Sequence, residues 1–98
     1  MTAKHFSSKA TNERKQERHR QMLNTLAKLT GVWNTTVAWE ECRGIEIRRR
    51  FISYQQVCEF LRELKKEQLI IQVEYPYVPD RANNWYIWAD EPYPSNIA

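Results

Sequence analysis

Glycine is almost absent from this 98-residue chain, where Gly31 and Gly44 are the only two. Each is therefore expected to mark a definite stop. No segment approaches the run of about 20 apolar residues that a membrane-spanning helix needs, and Met1 to Ser8 lacks the apolar core of a secretory leader. These absences lead us to expect a cytoplasmic protein with no membrane partner. Cysteine is limited to Cys42 and Cys58. Both fall in patterned segments, so buried thiols are expected rather than a structural disulfide. With His5 and His19 in the polar N-terminal region, the chain also lacks the clustered ligands of a zinc site. It has no Gly-rich phosphate loop, no zinc-protease helix motif and no Ser-His-Asp arrangement that the spacing would support. We therefore expect no enzyme, no metal and no cofactor.

What is present is charge, unevenly spread, and an apolar share of 42%. That share is enough for one core, and the length leaves room for one domain. A domain this small gains from a partner or a dimer. The net charge is +3, but its parts differ. Residues 1–20 hold Lys4, Lys9, Arg14, Lys15, Arg18 and Arg20 against Glu13 and Glu17, a net of +4. Residues 43–50 hold Arg43, Arg48, Arg49 and Arg50 against Glu46, a net of +3. Residues 70–98 hold Arg81 against Glu74, Asp80, Asp90 and Glu91, a net of −3. A basic front half suggests a polyanionic partner, with a solvated face as the plain alternative.

Along the chain, residues 1–10 read as a flexible basic arm. A first helix is expected from Thr11 or Asn12, its first two turns without an apolar stripe. Met22, Leu23, Leu26, Ala27 and Leu29 then form a buried face that Gly31 closes. A second helix fits residues 36–43, capped by Thr35 or Thr36, with Val37, Trp39 and Cys42 inward and Gly44 as its stop. Ile45 to Phe51 is ambiguous between strand and extended turn. Ser53-Tyr-Gln-Gln56 is a capping box, with Ile52 and Val57 at staple spacing. It opens a third helix that buries Val57, Phe60, Leu61 and Leu64 and leaves Gln55, Glu59, Arg62 and Lys66 wet. From Leu69 to Val78 apolar and polar residues alternate with a period of two. Pro79 to Asn84 is a turn-rich tip, and Trp85 to Ala89 returns as the partner strand. Residues 90–98 are a tail.

Three helices followed by a hairpin with a polar tip resemble a winged helix-turn-helix domain over residues 20–89. The most specific stretch is Val57-Cys-Glu-Phe-Leu-Arg-Glu-Leu-Lys-Lys-Glu-Gln-Leu-Ile-Ile71. It is similar to the end of the third helix and the start of the wing in MarR-type regulators, where a Leu-x-x-Leu pair, here Leu61 and Leu64, precedes a charged run and a Leu-Ile. Asp80-Arg81 resembles the wing tip of that group, and Thr36 to Ile45 resembles its second helix and closing glycine. Two features depart from the pattern. Gln68 stands where the family usually has a left-handed Gly, and the link Ile45–Ile52 is longer than the usual turn of about three or four residues. The fold class so implied is α+β, a three-helix winged helix-turn-helix over residues 11–89 with a C-terminal β-hairpin wing.

The resemblance implies a sequence-specific double-stranded DNA-binding protein, a homodimeric transcriptional regulator, with its third helix in the major groove. Tyr54, Gln55 and Gln56 would lead that helix. Gln55 is the better reader, because Gln56 belongs to the capping box and a glutamine can take adenine with two hydrogen bonds. Arg48, Arg49 and Arg50, just before the helix, would grip phosphates, with Arg62 and Lys66 extending the grip and Arg81 at the wing. Arg14, Lys15, Arg18 and Arg20 could follow a DNA backbone or pack on a second subunit. Glu59 and Glu63 weigh against deep insertion unless they pair with Arg62 and Lys66. The rival reading is a winged-helix protein-interaction module, such as a phage or mobile-element accessory protein, using the Trp/Tyr hairpin as its surface. One continuous basic face would favour DNA, and an open aromatic hairpin would favour protein.

Overall fold

In the computed structural model, which describes residues 2–74 and 84–92 and the side chains from residue 12 onward, the chain is a small α+β protein of three helices and short antiparallel strands. The elements are α1 (Thr2–Leu26), β1 (Trp33–Asn34), α2 (Thr35–Cys42), β2 (Glu46–Ile47), β3 (Arg50–Phe51), α3 (Tyr54–Lys66), β4 (Ile70–Val73) and β5 (Trp85–Trp88). Strands β1, β5 and β4 form one sheet in that order, and β2 and β3 form a separate hairpin.

The expected arm over residues 1–10 is helical from Thr2, so α1 begins well before Thr11 or Asn12. Neither Gly nor Pro interrupts that stretch, and Ala3, Lys4, Lys9 and Ala10 favour a helix, so Asn12 sits inside α1 and does not start it. Side chains 12–16 are all exposed, and burial begins only in the last turns, at Met22 and Leu26. Ala27 is exposed and Leu23 retains 39% of its surface, which makes the buried face narrower than its sequence pattern suggests. Gly31 does not close α1. It lies further on, at φ +68°, and its N–H donates to the Glu91 carboxylate at 2.7 Å. That left-handed turn returns the chain to the sheet.

The cap of α2 is Asn34, whose side-chain oxygen accepts the Val37 N–H at 2.9 Å, rather than Thr35 or Thr36. Thr35 is buried, and its N–H donates to the Asn84 carbonyl at 3.2 Å. Ala38 and Cys42 are buried with it, whereas Val37 and Trp39 are only half-buried. Burial pushes the Cys42 thiol up to about 11, with Glu41 adding to the shift. Cys42 and Cys58 are both free thiols, the latter half-buried.

Helix α3 forms as its start signal requires. The Ser53 hydroxyl accepts the Gln56 N–H at 3.2 Å and the Gln56 side chain accepts the Ser53 N–H at 3.0 Å. Ile52 and Val57, the staple pair, are both buried. Val57, Phe60, Leu61 and Leu64 are packed with Met22 and Leu26 of α1 and with Ala38 and Cys42 of α2 in one core. Fully burying side chains of this size stabilises by about 1.5–3 kcal/mol each. The helix ends in a Schellman closure: the Leu69 N–H donates to the Leu64 carbonyl at 2.9 Å and the Gln68 N–H to the Lys65 carbonyl at 3.0 Å. The residue in the left-handed position is Gln68, at φ +63°, where glycine is the usual occupant.

Strand β5 lies between β1 and β4, with Trp33 opposite Tyr86, Ile70 opposite Trp88 and Ile71 opposite Ile87. Directly opposed residues share a face. One face therefore carries Trp33, Ile70, Tyr86 and Trp88, which pack on the helical core, with ring centroids 5.6 Å apart for Trp33–Tyr86 and 6.0 Å for Trp33–Trp88. The Trp88 indole N–H donates to the Leu26 carbonyl at 3.1 Å and ties the end of α1 to the sheet. Strict alternation fails at the hairpin centre, where Tyr86 and Ile87 are both buried although they point to opposite faces. The expected strand residues Tyr75 to Val78 and the tip residues Pro79 to Asn83 lie outside the described residues.

Gln68→Gly removes a side chain from a left-handed backbone and should stabilise the fold by about 1 kcal/mol; an unchanged or lowered melting temperature would contradict the closure. His19 stacks on Phe60 with centroids 4.7 Å apart. Burial, then the charge of Lys15, holds its pKa below 6.5, with Glu63 opposing. The unfolded chain thus takes up this proton first, and stability should be complete above about pH 6.5 and fall as pH drops through the lower folded value. In urea titrations at pH 7.5 and pH 5, His19→Gln should lose less stability than the native chain between the two.

Candidate nucleic-acid interface

The long link Ile45–Ile52 folds into a hairpin. Glu46 pairs with Phe51 and Ile47 with Arg50, leaving Arg48 and Arg49 as a two-residue turn. The Ile52 N–H donates to the Ile45 carbonyl at 3.0 Å and closes its base. Both turn residues have positive φ, +52° at Arg48 and +69° at Arg49. That is the pattern of a type I′ turn, which Asn-Gly fills most easily. Two arginines there hold a conformation that costs on the order of 1–3 kcal/mol per residue. Ile45 and Ile47 are half-buried against the core, so the turn is fixed at its base, while Arg48, Arg49 and Arg50 are all exposed.

The hairpin packs beside α1. Between them, at the start of α3, is a cleft of about 520 Å³ lined by Arg14 and Arg18 of α1, Arg48 and Arg50 of the hairpin, and Ser53 and Gln56, over an apolar floor that includes Ile47 and Ile52. No carboxylate lines it. Glu17 is close enough to feel Arg48, but it pairs with Arg20 at 2.7 Å. The Arg20 hydrogen bond, then that of Gln21, holds the Glu17 carboxyl below its usual range. Among the described residues this is the one ion pair, so no described carboxylate is ion-paired with the cleft arginines, and Glu17 acts on Arg48 only through space.

The remaining expected contact residues occupy the first turn and the outer face of α3. Tyr54 is exposed, its ring edge-on to Trp39 with centroids 5.8 Å apart. The neighbouring Cys58 thiol raises the Tyr54 pKa. The Gln55 amide donates to the Glu59 carboxylate at 3.3 Å. The expected pairs Glu59–Arg62 and Glu63–Lys66 are not formed; Glu59 is taken by Gln55 instead, and Arg62 and Lys66 extend into solvent. They lie about 10 and 16 Å along the helix from Gln55, on the same exposed stripe. Gln56 is held in the capping box and faces the cleft.

Arg48 and Arg50 thus meet Gln56 in one cleft, while Arg49 stands at the turn and Tyr54, Gln55, Arg62 and Lys66 lie along α3. Arg81, expected at the wing tip, lies outside the described residues. The basic surface of the described residues is not a single patch but a cleft on the α1 side of α3 and a stripe along its outer face, so the one continuous face expected to favour DNA is not formed by them. Arg14 and Arg18 were legible as a charged helix face but not as a wall facing Arg48 and Arg50. Phe51, the most exposed large apolar residue at 67%, sits where alternation suggests core; no signal in the sequence sets it apart.

A second concavity, of about 560 Å³, is lined by Leu23, Ala27, Leu29, Leu69 and Trp88, with Thr30, Asp90 and Glu91 adding polar groups. Among the described residues no group of His, Cys, Asp and Glu could hold a metal ion, and no helix is long and apolar enough to cross a membrane. Comparison of the chain with protein-family models, with curated proteins and with solved structures found no match.

The strain at the arginine turn has a direct test. R48N/R49G and R48Q/R49Q remove the same charge, but only the first relieves the backbone. The first should exceed the second in unfolding free energy by about 1–2 kcal/mol; equal stabilities would show that the turn stores no strain.

Proposed function

We propose that this protein is a winged helix-turn-helix transcriptional regulator that binds double-stranded DNA sequence-specifically in the cytoplasm. Its topology is consistent with this reading: a short strand follows the first helix and joins the sheet beside β5, and α3 leaves one face outward. The observation that carries the reading is the hairpin that holds Arg48, Arg49 and Arg50 exposed at the N-terminal end of that open helix, with no ion-pair partner among the described residues. In the docked state α3 lies in the major groove, Gln55 leaves Glu59 to take a base edge, and the hairpin arginines contact phosphates. Arg62 and Lys66 meet the backbone further along the groove. A homodimer belongs to the same reading, with the trough around Leu23 and Leu69 as the surface left for a second subunit.

The protein-interaction reading needs an open aromatic hairpin. Among the described residues of that hairpin Tyr86 is buried and Trp85 and Trp88 are half-buried, so these three rings do not form an open aromatic face; Tyr75 and Tyr77 lie outside the described residues.

Binding to duplex DNA at a series of salt concentrations tests the proposal. Affinity should fall steeply with salt, and R48Q/R49Q/R50Q should weaken binding to every sequence and reduce the logarithmic salt slope by about two to three. Gln55→Ala should cost about 1–3 kcal/mol at one base pair and leave the slope unchanged. Absence of salt-dependent binding by the native chain would sink the reading.

A further inference from the structure

The cleft beside α3 has two walls, and the second belongs to α1. Arg14 and Arg18 are four residues apart, so they lie on one helix face about 6 Å apart along the axis. They line the same concavity as Arg48 and Arg50, which come from a hairpin some thirty positions later in the chain. Four arginines line one cleft, and among the described residues no carboxylate lines it and none of the four has an ion-pair partner; Glu17, whose charge acts on Arg48, is paired with Arg20. An anion with several oxygens fits between walls of this composition. Guanidinium groups suit such an anion because their planar donors match phosphate oxygens two at a time.

Residues 12–16 are exposed, and the helix packs on the core only from its later turns. Ser53 and Gln56 add polar groups at the cleft's base, but they are bonded to each other's backbone and close the α3 cap. The four arginines are therefore the groups free to bind.

We infer that α1 and the β2–β3 hairpin form a two-jawed clamp on one phosphodiester strand, with Arg14 and Arg18 contacting phosphates opposite Arg48 and Arg50. This inference rests on the DNA reading above and adds α1 to the contact surface. A strand held there flanks α3 on the side of Gln56, so the clamp fixes how the helix is rotated in the groove. It recognises the backbone and leaves base choice to α3.

The test uses the full chain, a labelled duplex of mixed sequence and fluorescence anisotropy over a range of salt. R14Q/R18Q is compared with K28Q/R43Q, which removes the same charge from exposed positions outside the cleft. The clamp requires R14Q/R18Q to lower the logarithmic salt slope by about two while K28Q/R43Q leaves it near the native value. An equal fall in both variants would reduce the effect to net charge and overturn the clamp. An unchanged slope in R14Q/R18Q, with a reduced slope in R48Q/R49Q/R50Q, would overturn the clamp and leave the DNA reading standing. No salt-dependent binding by the native chain would overturn both. R14K/R18K keeps the charge and the helix propensity, so it should retain the slope; a fall there would point to a folding effect and also overturn the assignment.

Discussion

The architecture depends on one packing event, the burial of the α3 stripe of Val57, Phe60, Leu61 and Leu64 against Met22 and Leu26 of α1 and Ala38 and Cys42 of α2. That stripe fixes α3 about its own axis, and with it which residues face water. Rotating the helix by one position would bury charged groups and expose leucines, so Gln55, Arg62 and Lys66 are outward because their neighbours are inward. The same contact seats α1 beside α3, and His19 on Phe60 continues that seam toward the basic end of α1. The sheet then closes the far side through Trp33, Ile70 and Tyr86. A core of so few residues has little redundancy, and each large side chain in it carries a sizeable share of the total stability.

Charge is organised around that frame by two helix-adjacent devices. Upstream of α3, the capping box turns the chain sharply, and the hairpin before it thrusts its arginines past the helix end. Downstream, the Schellman closure through Gln68 turns the chain into β4, where Lys65 reaches the Gln72 side chain at 2.6 Å. Both devices use left-handed residues that are not glycine. With only two glycines in the chain, strain at Arg48, Arg49 and Gln68 is met by packing and hydrogen bonds around them.

The parts legible in the sequence were those whose signal is local. The α3 cap, staple and stripe depend on residues within a few positions of one another, and they form as patterned. The left-handed position at Gln68 was pointed to by the winged-helix resemblance, which usually has a glycine there, and Gln68 adopts it. Signals that depend on distant partners were not legible. The Asn34 cap competes with two threonines, and the outcome turns on Thr35 being drawn to Asn84 from far along the chain. Residues 2–10 read as an arm, yet α1 extends through them; neither Gly nor Pro interrupts the stretch, and beyond Ala3, Lys4, Lys9 and Ala10 nothing in its sequence marks it as helical. The Ile45–Phe51 stretch was ambiguous because Arg-Arg is a poor turn signal, and only its pairing registers it as a hairpin. The cleft was invisible because its two walls are brought together by tertiary packing alone.

The hydrogen bond between Gln55 and Glu59 has a kinetic side under the DNA reading. In the free chain the reading amide is already engaged, by a carboxylate one turn further along its own helix. Travel along arbitrary sequence needs only the arginines, so the amide can stay sheathed while the protein searches. Opening it leaves Glu59 to water and is offset only where the right base edge offers two bonds in exchange. Under that reading one intrahelical contact would separate scanning from stopping, with no movement of the backbone.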